Sequence, residues 1–184
     1  MQNMGNVMSQ RNSGFPRPFR AAGFTLIELM VTIAVLAIVT AIAVPSMRSL
    51  ILANRLTAAS TELVTSLQLA RSEALRRNAP VTVCASADGA GCSESAAWDR
   101  WIILGHNNIN NTDEVIRDTG AQGGVQVSGP ATGIRFRATG MLSAGATITA
   151  CLPEDGLSDN QRVITMTMSG GVSTAKNNDG GACP

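Results

Sequence analysis

A long apolar run at residues 24–44, FTLIELMVTIAVLAIVTAIAV, constrains this chain more than any other feature. At about 1.5 Å of helical rise per residue it covers about 31 Å, the thickness of a bilayer's hydrocarbon core. A secretory signal peptide places its small-residue cleavage site after the apolar stretch. Here Ala21-Ala22-Gly23 come before it. The run therefore reads as a retained membrane span and not as a discarded apolar stretch. Arg17 and Arg20 on the N-terminal flank hold that end in the cytoplasm by the positive-inside rule. Everything after the span is then expected outside the cytoplasmic membrane.

One residue breaks the apolar logic. Glu28 is the fifth residue of the run. A charge within a span costs roughly 2.5–3.5 kcal/mol on insertion scales, which marks such a residue as functional. From this residue alone two readings stay open: Glu28 snorkels to the headgroups, or it serves a function.

The formal charge of +1 hides a division. Residues 1–23 carry Arg11, Arg17 and Arg20 and no acid, so the remainder holds 11 Lys and Arg against 13 Asp and Glu. Such a near-neutral remainder has no broad attraction for nucleic acid. All four cysteines, Cys84, Cys92, Cys151 and Cys183, follow the span. An even number in an exported segment suits disulfides. Zinc is disfavoured, because there is no C-x-x-C pair and the sole histidine, His106, lies in a polar stretch that reads as a solvated loop.

Beyond the span, Leu52, Leu56, Ala59, Leu63, Leu67, Ala70 and Ala74 recur at helical spacing and make one apolar stripe. Glu73 and Arg77 form an i,i+4 pair on the same segment. Pro80 closes it, because the residue before a proline is pushed out of the α region. From Val81 the pattern changes to short β-type runs at 81–85, 101–104, 114–116, 124–127, 134–137, 146–151 and 162–168, separated by Gly, Asn, Ser and Asp clusters. Ile134, Phe136 and Ala138 alternate with Arg135 and Arg137, and Ile164, Met166 and Met168 with Thr165 and Thr167. The expected fold class is α+β: a long N-terminal helix whose second half lies on one small antiparallel sheet.

The stretch Gly23-Phe24-Thr25-Leu26-Ile27-Glu28 with its apolar continuation resembles the N-terminal signal of type IV prepilins and type II secretion pseudopilins. The helix end Leu69-Ala70-Arg71-Ser72-Glu73-Ala74-Leu75-Arg76-Arg77-Asn78 resembles the GspH/FimT group of minor pilins and pseudopilins. So do Val81-Thr82-Val83-Cys84, the Trp98–Trp101 segment and the C-terminal cysteines. The resemblance implies the type IV pilin fold, cleavage between Gly23 and Phe24 by a prepilin peptidase, and N-methylation of Phe24. It implies that Glu28 pairs with the Phe24 ammonium of a neighbouring subunit during assembly. This agrees with the rule that buried charges persist only when paired. Pro45 matches a proline at which such helices bend or melt, since it lacks an N–H and clashes one turn back.

Four cysteines allow three pairings. The favoured one is Cys84–Cys92, closing a short loop after the first strand, with Cys151–Cys183 tethering a tail of otherwise disordered composition. Trp98 and Trp101 could form a stacking surface but read as core. Asp113, Glu114 and Asp118 form an acidic cluster without the D-x-D-x-D-G pattern of a calcium loop. No catalytic set forms around a single histidine and no phosphate loop is present, so neither an enzyme nor a cofactor is expected. Some FimT-like pilins take part in DNA uptake through a Gly-Arg-x-Arg motif near the C-terminus. The matching place here reads Ser169-Gly170-Gly171-Val172-Ser173, with both arginines replaced. Arg135, Arg137 and Lys176 are the remaining candidate DNA contacts, too few to hold many phosphates.

The resulting expectation has four segments: a cleaved leader at 1–23, a transmembrane half-helix at 24–44, an amphipathic half-helix at 45–79, and a periplasmic β-rich head at 80–184. The expected function is a minor pilin priming or tipping a type IV pilus. A minor pseudopilin of type II secretion and a DNA-binding pilin of natural transformation are the alternatives. The expected partners are other minor pilins and the major pilin (or pseudopilins), the prepilin peptidase and the inner membrane.

Overall fold

The computed structural model describes residues 23–154 and 157–184. The expected leader, apart from Gly23, lies outside the described residues, as do Arg11, Arg17 and Arg20. The chain divides into two compact units, Met1–Ala41 and Ile42–Pro184. One helix, α1 (Leu26–Arg77), begins in the first and ends in the second.

In the first unit every described side chain is exposed. Leu26, Ile27, Leu36 and Ile38 are between 63% and 77% exposed, far outside what an aqueous surface tolerates as a continuous patch. The helix is long and apolar enough to cross a membrane. Its hydroxyls are turned inward: Thr32 donates to the Leu29 carbonyl and Thr40 to the Leu36 carbonyl. Such back-bonding leaves no side-chain donor unsatisfied in an apolar medium.

In the second unit α1 continues through Pro45 without interruption. Its apolar stripe then becomes a buried face, with Leu56, Leu63, Leu67, Ala70 and Ala74 fully enclosed. The helix stops at Arg77, two residues before the expected boundary. Asn78 takes the left-handed conformation (φ 48°), Asn78 N–H bonds the Leu75 carbonyl, and Ala79 N–H bonds the Ala74 carbonyl. That is a Schellman cap, with Asn where Gly is commonest.

Among the described residues eight strands follow: β1 (Val81–Ala85), β2 (Arg100–Asn107), β3 (Thr112–Gly120), β4 (Gln126–Ser128), β5 (Ile134–Phe136), β6 (Ala146–Cys151), β7 (Gln161–Met166) and β8 (Val172–Asn177). They form two antiparallel sheets rather than one, in the orders β3-β2-β1-β5 and β4-β6-β7-β8. The sheets are joined at residues 96–98, where Trp98 N–H bonds the Val127 carbonyl at 2.7 Å and Gly129 N–H the Ala96 carbonyl at 2.9 Å. The inner faces of both meet the helix stripe in a single core that includes Val83, Ile103, Phe136, Ile148 and Ile164.

Several strand expectations change: β2 runs over eight residues and not four, and β4 begins at Gln126 and not at 124. β3 runs over nine residues, because its exposed, charged sequence is held by pairing to β2 and not by its own apolar pattern. β7 ends at Met166: Thr167 and Gly171 close a turn around Gly170 (φ 80°), which leaves Met168 57% exposed instead of inward. β8 was not expected at all. It is a largely exposed edge strand whose place is set by six register partners on β7.

Candidate functional site

The N-terminal motif is a helix start. Thr25 caps α1: its Oγ1 accepts the Glu28 N–H at 3.2 Å, and its carbonyl accepts the Leu29 N–H at 3.2 Å. Thr25-x-x-Glu28 is thus the sequence pattern of a capping box, a signal that the apolar reading of the run passed over. The cap seats Glu28 in the first turn. There the partial positive charge of the helix terminus stabilises a carboxylate. Glu28 and Phe24 are both exposed, Phe24 at 85%, so each is open to another molecule.

In the head the structure pairs Cys84 with Cys92, Cα–Cα 5.5 Å, and Cys151 with Cys183, Cα–Cα 5.7 Å. The second bridge is one part of a clasp. The Ala182 carbonyl accepts from Asn160 Nδ2 and Gln161 Nε2, both at 3.0 Å, and Asp179 N–H donates to Asn160 Oδ1 at 2.8 Å. Asn160 is fully buried, and within the head its Nδ2 reaches the Leu152 carbonyl only at 3.4 Å, so the tail supplies the shorter bonds.

Trp98 and Trp101 are fully enclosed and offer no stacking surface. Trp101 Nε1 donates to the buried Ser66 Oγ at 3.1 Å, while Trp98 Nε1 has no partner among the described residues. His106 is no loop residue: it lies on β2, its Nδ1 2.8 Å from Asp113 Oδ1. The acidic cluster is dispersed among bases. Asp113 meets His106, Glu114 meets Arg77, and Asp118 meets Arg100. Glu73 is bonded by Arg76 and Arg77 together, and the Arg76 bond most of all lowers its carboxyl from 4.5 to about 2.

The candidate DNA contacts do not converge. Arg135 is exposed on β5, an edge of the first sheet, and Arg137 is exposed just beyond that strand. Lys176 is on β8, an edge of the second sheet, 3.9 Å from Asp159. At the place of the Gly-Arg-x-Arg motif, the Gly170 carbonyl accepts from Arg71 of α1 at 3.0 Å. That arginine braces the turn.

Comparison with known proteins follows the same division. The prokaryotic N-terminal methylation motif matches residues 18–44, and the family described as Type II transport protein GspH matches residues 59–170, more than half of the chain. Among curated proteins none is significantly similar in sequence. The fold resembles the crystal structure of the type IV minor pilin FimU of Pseudomonas aeruginosa, with 23% identity, TM-score 0.51, and coverage of 66% of this chain and 89% of that one. It equally resembles the minor pseudopilin EpsH of the Vibrio cholerae Type 2 Secretion System, with 14% identity, TM-score 0.51, and coverage of 66% and 97%. With an N-terminal methylation motif on an apolar helix long enough to cross a membrane, and a family match over most of the remainder, the chain belongs to the GspH family.

Proposed function

We propose that this chain is a minor pilin that primes or tips a type IV pilus. The observation that carries the reading is the capped helix start, where an acid is seated one turn from Phe24 at the mouth of a bare apolar helix. A membrane peptidase cleaves between Gly23 and Phe24, and the new amine is N-methylated. Residues 24–44 hold the subunit in the inner membrane with its head in the periplasm. During assembly Glu28 pairs with the Phe24 ammonium of a neighbour. Two opposite charges in a low-dielectric filament core are tolerable only as a pair, and breaking one costs about 3–5 kcal/mol. Pro45 gives the helix a weak point at which it can bend in the filament.

A second reading, a minor pseudopilin of a type II secretion system, is favoured by the function in the matched family's description. The same charge pair serves both. Replacing Glu28 by Ala is expected to leave the subunit cleaved and membrane-bound but absent from sheared filaments, as read by immunoblotting each fraction. Normal incorporation of the variant would refute the pairing. A deletion strain that loses surface pili and keeps its secreted hydrolases supports the pilus; the opposite pattern supports the pseudopilus.

A further inference from the structure

Among the described residues β8 is the sheet edge left open to pairing. It is six residues long, free of proline and of any register shift, and exposed throughout except at Val172. The other three edges carry devices that keep stray strands away. β3 bears Asp113, Glu114, Arg117 and Asp118, and its pairing shifts between Ile103 and Leu104. β4 and β5 have only three residues each, and each is partly covered on its outer side, by the Ala97–Ser128 and Phe136–Leu142 bridges.

The open groups on β8 follow from the ladder. Leu152 N–H bonds the Asn160 carbonyl and Thr167 N–H the Gly171 carbonyl, both at 2.9 Å. Such bonds fall on alternate residues of an antiparallel pair. Thr165, Val163 and Gln161 of β7 therefore bond Ser173, Ala175 and Asn177 of β8. The N–H and C=O groups of Val172, Thr174 and Lys176 are left pointing outward. We propose that this edge accepts an extended strand of a neighbouring subunit, whose carboxylate meets Arg71. The choice of a subunit as donor rests on the assembly reading above.

Arg71 stands where β8 begins. A groove of about 250 Å³ runs there, with Leu67, Arg71 and Leu75 of α1 on one side and Gly171 and Val172 on the other. It lies at the end of β7 opposite the connection from β6. Arg71 is the only ionisable group in its lining. The side chain is half-buried, donates to the Gly170 carbonyl at 3.0 Å, and makes no ion pair among the described residues. A partly desolvated guanidinium so held in place is matched by a carboxylate. A strand added antiparallel to β8 ends beside Val172, so the acid belongs at its C-terminal end. Leu67, Leu75 and Val172 suit an apolar side chain next to it. Backbone pairing then supplies affinity and the groove supplies selectivity.

The probe is an amidated peptide of alternating threonine and valine that ends in glutamate. It is added to the full chain in nanodiscs, with amide hydrogen exchange read residue by residue by NMR. Exchange at Val172, Thr174 and Lys176 is expected to slow about ten-fold, while Ser173 and Ala175 stay as before. A peptide ending in glutamine is expected to bind about ten-fold more weakly, and Arg71→Gln to abolish that difference. Thr174→Pro removes an outward N–H and leaves the β7 ladder in place. It is expected to remove the protection and to lower the chain's amount in sheared filaments about five-fold at an unchanged membrane level. Unchanged exchange at Ser173 and Ala175 checks that each variant is folded. Absence of the alternating protection, equal binding of the two peptides, or normal incorporation of Thr174→Pro overturns the proposal. So does the same protection without peptide at raised chain concentration, which marks self-pairing, or with single-stranded DNA, which marks a nucleic-acid edge. A parent chain absent from sheared filaments refutes the assembly reading and the donor with it; a chain present there but unprotected by the peptide refutes the site alone.

Discussion

Glu73 links the last turn of α1 to the first sheet through three charges. It accepts from Arg76 and Arg77, and Arg77 continues to Glu114 on β3. Because its carboxyl is lowered from 4.5 to about 2, its stabilising contribution is complete above about pH 4.5 and is lost as pH falls toward 2. Urea midpoints measured across that window are expected to drop, and to drop less steeply for Glu73→Gln. Equal slopes would show that the network adds nothing. The pair with Arg77 was legible in the sequence because i,i+4 spacing is local. The links to Glu114, and from His106 to Asp113, were not. They depend on a strand register that brings together residues far apart in the chain or across a hairpin. Trp101 was readable as core, but its Ser66 partner was hidden, because a serine within an apolar stripe carries no mark of what faces it.

At the scale of elements, α1 was legible over nearly its whole length. Apolar residues at intervals of three and four identify a helix without reference to anything else. Its end was only half read. Pro80 explains why the helix cannot continue, whereas Asn78 explains where it stops, through a backbone conformation that L-residues avoid. Asn78→Ala is therefore expected to cost about 1 kcal/mol of stability and Asn78→Gly to cost nothing or add a little, both by chemical denaturation. Equal losses for the two would place the effect in a lost side-chain contact instead. β8 was missed for the opposite reason. Val172-Ser173-Thr174-Ala175-Lys176-Asn177 has little apolar alternation, and only its six pairings with β7 make it a strand. The N-terminal motif was recognised as a signal, while its capping geometry stood in the same four residues unread.

At the scale of the whole molecule, helix and sheet content were foreseeable but the division into two sheets was not. Strand signals report existence and say little about which edges meet. The division matters for stability because each disulfide acts on a different part of the head. Cys84–Cys92 spans 8 residues and Cys151–Cys183 spans 32. By loop-closure entropy their removal should cost about 2.5 and about 3.7 kcal/mol respectively. Serine variants compared by urea denaturation are expected to follow that order, and a larger loss at Cys84–Cys92 would show that the clasp around Ala182 holds without its bridge. The clasp also gives synthesis a sequence in time. A chain made from its N-terminus supplies Asn160 and Cys151 well before residues 179–183. Until those residues follow, the Asn160 amide keeps only its longer bonds within the head, such as that to the Leu152 carbonyl at 3.4 Å, and the Cys151 thiol stays free. Closure of the second sheet's clasp therefore waits for residues 179–183, and a chain that has not yet supplied them is not sealed.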